Sequence, residues 1–144
     1  MLSQSETHHP DELSTLRADD RFAIGDVLSL HGYIFDADEL DRIEEIFTPE
    51  VVYDMSAVGI GVFEGIETVR GAAASMGDRG PLAHHITNVL ISGNEHGVAT
   101  AQSKGLMLMR DGTLESVTHL DTLRRHDGQW RISHRIITPI RAKQ

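Results

Sequence analysis

Pro81-Leu82-Ala83-His84-His85-Ile86-Thr87-Asn88-Val89-Leu90-Ile91 is the stretch whose reading decides the fold. Gly80-Pro81 and Gly93-Asn94 bound it, and its β-branched and aliphatic content marks a strand. Two-residue alternation places His84, Ile86, Asn88 and Leu90 on one face and His85, Thr87, Val89 and Ile91 on the other. One face thus carries an imidazole and an amide among apolar neighbours. Burying such groups costs free energy unless each is hydrogen-bonded, so this face either meets further polar residues or lines a wet cavity. The plain alternative is that His84 and Asn88 are two satisfied core residues.

Outward from this strand, the C-terminal side reads as three more strands, about 98–109, 113–125 and 129–140, with Asp111-Gly112 and Asp127-Gly128 as two-residue hairpin signals. On the N-terminal side, Phe63-Glu64-Gly65 leads into a helix over 66–76, and residues 51–55 form a strand with Val51, Tyr53 and Met55 on a common face. Residues 36–47 read as a short helix with an acidic start. Asp36 and Glu39 have capping-box spacing, so Asp36 either caps this helix or, with Asp38 in that role, points inward. Gly32, one turn earlier, is expected to leave open space beside it. From Asp19 or Asp20 onward, Ile24, Val27, Leu28, His31, Ile34 and Phe35 recur at helical spacing. Residues 1–18 form a polar extension, expected to turn helical near 11–17, and 19–142 a single domain. Helices first and hairpins last indicate an α+β fold, with helices packed on one face of a curved antiparallel sheet.

A chain of 144 residues buries roughly 68–70% of its unfolded surface. No cysteine is present, which excludes disulfides, thiolate nucleophiles and sulfur-ligated metals. The net charge of −9 argues against nucleic acid and anionic lipid as partners. No run approaches the ~18 apolar residues of a membrane span, and the N-terminus lacks a signal peptide's basic start, so cytoplasmic residence is expected. Of the nine histidines, His8, His9, His96 and His126 sit in loop-like contexts. His31, His84, His85, His119 and His134 lie in periodic segments. His31 falls on the apolar stripe of its helix, where a packed core histidine is the plain reading. His85 opposes His84, and alternation leaves the facing of His119 open. A metal site from His84, His119 and His134 has no support in spacing, so none is expected.

Several motifs together resemble the SnoaL-like branch of the cone-shaped, nuclear transport factor two-like superfamily. They are Ile24-Gly25-Asp26-Val27, Phe35-Asp36, Phe47-Thr48-Pro49-Glu50-Val51-Val52-Tyr53, Phe63-Glu64-Gly65, His84-His85-Ile86-Thr87-Asn88, and Asp127-Gly128-Gln129-Trp130-Arg131-Ile132-Ser133-His134-Arg135. Within that superfamily the chain looks similar to the scytalone dehydratase and hexachlorocyclohexane dehydrochlorinase group, which neighbours the polyketide cyclases of antibiotic biosynthesis. The resemblance implies a cone whose sheet and N-terminal helices enclose a pocket, no metal, no organic cofactor, and a buried Asp–His dyad matched by Asp36 and His84. It further matches His31 to a lysine or tyrosine of relatives, Tyr53 to an aromatic pocket residue, and His134 to an arginine. It also implies a homo-oligomer, dimer or trimer.

Such a dyad suits proton abstraction beside a carbonyl. Imidazole titrates near the working pH, and a carboxylate on one ring nitrogen selects the tautomer whose other nitrogen is free. Tyr53, His31 and His134 are candidates for the acid side, Asn88 for an orienting partner. Leu28, Phe35, Met55, Met76, Ile86, Leu106 or Met107, and Ile136 would line the pocket, a surface suited to an apolar ring. The reading is a cofactor-independent lyase, a dehydratase or isomerase acting on a cyclic, carbonyl-bearing small molecule. The alternatives are a polyketide cyclase and a non-catalytic binding or scaffold protein.

Overall fold

The computed structural model describes residues 16–93 and 96–142. Helix α1 (Ala18–Asp36) buries Ile24, Val27, Leu28, His31, Gly32 and Ile34. Six strands follow, β1 (Phe47–Met55), β2 (Gly61–Glu64), β3 (Ala83–Gly93), β4 (Ala99–Leu108), β5 (Leu114–His126) and β6 (Gln129–Pro139), with helix α2 (Ile66–Met76) between β2 and β3. They form one curled, unclosed sheet in the order β2-β1-β6-β5-β4-β3, and α1 packs on its concave face against β3 and β6. The α+β reading holds, with one difference: β1 runs parallel to β6, so the sheet is mixed. The core where helix and sheet meet includes Ile24, Leu28, Ile34, Ile43, Ile46, Phe47, Val51, Leu123 and Ile132, none more than 1% exposed. Each such side chain contributes about 1.5–3 kcal/mol of hydrophobic stabilisation.

The expected helix over 36–47 is only a 3-10 segment, Leu40–Glu45, and β1 already begins at Phe47. Arg42 bonds both Glu39 and Glu45, three residues either side, which suits the three-residue repeat of a 3-10 turn. Asp36 therefore ends α1 rather than capping a second helix, and Asp38, at φ 55°, makes the sharp turn between them. The expected extension falls largely on residues 1–15, outside those described. Among the described residues no helix is long and apolar enough to cross a membrane.

Two β-bulges decide which side chains face inward. In β3, Thr87 pairs Lys104 but Leu90 pairs Gln102, so one extra residue is accommodated, with Asn88 at φ 53°. Asparagine tolerates that left-handed conformation better than most residues. In β6, Thr122 of β5 pairs His134 while Leu123 pairs Ile132, leaving Ser133 as the extra residue. Beyond each bulge the alternation reverses. Asn88 and Leu90 are exposed and Ile91 turns in, while Arg135 and Ile137 are buried and His134 and Ile136 face the outer side. The shared face expected for His84 and Asn88, and the inward placement of His134 and Ile136, are corrected accordingly.

Candidate active site

Asp36 and His84 meet where the last turn of α1 crosses the free edge of β3. The Nδ1–H of His84 donates to Asp36 Oδ1 at 2.6 Å, and the backbone N–H of His84 donates to Oδ1 and Oδ2 at 3.0 and 3.1 Å. Because a carboxylate only accepts, this contact fixes the proton on Nδ1 and leaves Nε2 with its lone pair directed away. The same carboxylate satisfies a backbone donor that β3, as an edge strand, cannot give to a neighbour. The pair is half-buried rather than sealed, with side chains 19% and 29% exposed for His84 and Asp36.

Behind the dyad lies a row of polar side chains on the concave face. Tyr53 and Asp121 are the cross-strand neighbours of Arg135. The Arg135 guanidinium donates to Asp121 through Nε at 2.7 Å and Nη2 at 2.8 Å, and neither side chain has any exposed surface. Burial opposes the charge on Arg135, but the fork-to-fork carboxylate more than offsets it and keeps the guanidinium protonated. His31 Nε2 lies 3.1 Å from the Tyr53 hydroxyl, and its ring stacks on Phe35 at 4.3 Å and stands edge-on to His84 at 6.1 Å. Burial, and then the charge of Arg135, hold His31 neutral well below its ordinary range. Burial likewise pushes the Tyr53 phenol up.

His119, whose facing the sequence left open, points inward. It sits 3.4 Å from Ser103 Oγ in a slot that exists because residue 105 is glycine, where a Cβ would lie 2.8 Å from the ring. Burial, followed by Arg135, pulls its pKa down to about 2. Among the described residues no group of three His, Asp or Glu side chains is arranged to hold a metal ion.

The structure thus brings together Asp36, His84, His31 and Tyr53, with Phe35 stacked at the helix end. Leu28 is wholly within the core, while Met55, Ile86 and Met107 are half-buried against it, and Leu106 is outward. Asn88 and His134 are not part of this constellation. Arg135, Asp121 and Ser103 are, and sequence reading missed them. The interior beside Arg135 and Asp121 leaves no gap that water could enter, since neither has accessible surface. Two surface clefts, one of about 490 Å³ along the outer side of α1 and one of about 240 Å³ beside Asp111, lie away from the dyad.

The profile of the SnoaL-like domain family matches residues 16–136, which include every one of these side chains. The chain belongs to that family. No curated protein matches it at a significant level. Among solved structures, a Novosphingobium aromaticivorans protein provisionally described as an aromatic ring hydroxylase superposes with a TM-score of 0.74 at 20% identity, covering 89% of this chain and 94% of that one. A second protein from that organism, provisionally described as a scytalone dehydratase, gives 0.72 at 19% identity and covers 85% of each chain. Aln2 from a Streptomyces species gives 0.71 at 16%, covering 87% of this chain and 93% of Aln2. At such identities these likenesses establish the fold. In this SnoaL-like chain, the resemblance matched a relative's arginine to His134, and the residue that faces inward is its neighbour Arg135.

Proposed function

We propose that the protein is a cofactor-independent lyase that eliminates water, or isomerises, a cyclic carbonyl-bearing small molecule, with His84 as base and Asp36 as its orienter. The observation that carries this reading is the 2.6 Å bond from His84 Nδ1 to a carboxylate that also accepts the backbone N–H of the same residue. Nε2 takes the proton from the carbon beside the carbonyl, and the electron pair passes into an enolate. Asp36 stabilises the imidazolium so formed. That imidazolium then protonates the departing hydroxyl, which leaves as water as the double bond closes, returning His84 to its starting state. General acid–base catalysis of this kind contributes about 10²–10⁴-fold, sufficient for an already acidified C–H bond.

Tyr53, kept as a phenol by burial and held by neutral His31, would donate to the enolate oxygen once the bound ring displaces the packing in front of it. The half-buried apolar residues Phe35, Met55 and Ile86 would receive the ring. The test is incubation with a panel of cyclic β-hydroxy ketones. Enone absorbance should appear with a product lighter by one water, and His84→Ala should abolish it. A product of unchanged mass from a linear polyketone substrate would favour the cyclase reading instead.

The non-catalytic reading is favoured by one observation, the close packing behind the dyad. Ligand-induced stabilisation without turnover across the panel would select it. The proposal includes self-association through the outer sheet face, where Leu90, Leu106 and Leu120 are exposed among threonines.

A further inference from the structure

Glycine in a helix interior costs about 0.5–1 kcal/mol relative to alanine. Helix α1 carries two, Gly25 and Gly32, and their surroundings are opposite. A Cβ added to Gly25 meets nothing within 4 Å, whereas one added to Gly32 would lie 2.9 Å from the carbonyl oxygen of His84 and 3.7 Å from its Cβ. The space expected beside Gly32 is therefore taken by the backbone of the dyad histidine itself. We infer that Gly32 is a positioning residue, whose missing side chain lets α1 settle onto β3 at the separation from which Asp36 grips His84. This inference rests on the dyad reading proposed above.

The geometry gives the reason. Gly32 and Asp36 are one helical turn apart on one face, so the helix touches a single residue of β3 at two points. Gly32 lies against its carbonyl, and Asp36 holds its N–H and its ring nitrogen. Aspartate has one methylene and little reach. Relieving a 2.9 Å contact to the ordinary 3.4 Å moves the helix by about 0.5 Å, because a backbone carbonyl cannot swing aside as a flexible side chain does. That displacement takes the 3.0 and 3.1 Å bonds to the limit of hydrogen-bond range. His31, adjacent to Gly32, would lose its 3.1 Å register with Tyr53 in the same movement.

The test reads the His84 Nδ1–H directly, as a far-downfield proton resonance in ¹H NMR spectra of the full chain, assigned by its loss in His84→Ala. The native protein and Gly25→Ala should both show it, because residue 25 has room for a methyl group. Gly32→Ala should shift it upfield, because the same displacement lengthens the 2.6 Å Nδ1–H bond to about 3.1 Å, with the helical circular dichroism signal and cooperative unfolding kept. Gly32→Ala combined with Asp36→Glu should restore it, the added methylene spanning the widened gap. Should Gly32→Ala not fold, Asp36→Glu in the native background reads the same dimension, and the longer carboxylate should displace the resonance. A native resonance that survives unchanged in Gly32→Ala, or in Asp36→Glu, overturns the role of Gly32 and leaves the dyad standing. Its absence from the native protein overturns both.

Discussion

Lowering the pH should destabilise this protein more steeply than its surface carboxylates explain, and the size of the effect follows from two side chains. His31 and His119 are 2% and 3% exposed, and burial holds both neutral, His119 down to about 2 and His31 well below the ordinary 6.5. The folded-state pKa is depressed in each case, so between that value and about 6.5 the unfolded chain binds the proton and the folded chain does not. Stability is then highest above the unfolded pKa and falls as the pH drops below it. From about pH 7.5 to about pH 5.5 each ring contributes a loss of about 1.4 kcal/mol, and the two together about 2.7 kcal/mol. Over that range ordinary carboxylates remain ionised in both states. Urea denaturation at the two pH values measures the difference, and His119→Asn, which cannot titrate, should halve it. A native difference under about 1 kcal/mol, or no change of slope in His119→Asn, would refute the assignment of these histidines as buried and neutral.

Three further outcomes are expected. Asp121→Asn strands the Arg135 guanidinium in a site without accessible surface and should cost about 3–5 kcal/mol, whereas Asp121→Leu with Arg135→Met should recover much of it, both read by urea denaturation. Asp36→Asn should fold normally, because its amide oxygen can still accept the His84 backbone N–H. It should nevertheless lose turnover by about 10²-fold or more, because a neutral amide carries no charge to stabilise the imidazolium that His84 forms. If the native protein self-associates as proposed, Leu120→Glu, placed centrally on the outer sheet face, should reduce it to a monomer in sedimentation equilibrium, and a monomeric native protein or an unchanged mass in the variant would contradict that interface.

Helices α1 and α2 and strands β3 to β6 were legible in the sequence because their periodicity is local. Helix α2 begins and ends where Gly65 and Gly77 predict, and Asp127 and Gly128 take the positive φ angles of a two-residue turn. The bulges were not legible, since a one-residue insertion depends on how two strands pair. Straight counting from the Asp127-Gly128 turn sets Asp121 opposite His134. The extra residue at Ser133 moves the pairing to Arg135 and exchanges an outward imidazole for the buried guanidinium. The same cause removed Asn88 from the face of His84. Asp36 could be read as a cap or as a site residue from spacing alone, and only the contact between α1 and β3, 48 residues apart in the chain, shows that it turns onto His84.

The central claim, that His84 removes a carbon-bound proton with Asp36 behind it, is tested most directly by α-proton exchange. Cyclic ketones are incubated with the protein in D₂O, and loss of the α-proton signal is followed by NMR, which needs no leaving group and no knowledge of the product. For at least one ketone of the panel, the native protein should exchange about 10²-fold faster or more than folded His84→Ala and Asp36→Asn. Exchange in either folded variant at the native rate would contradict the account.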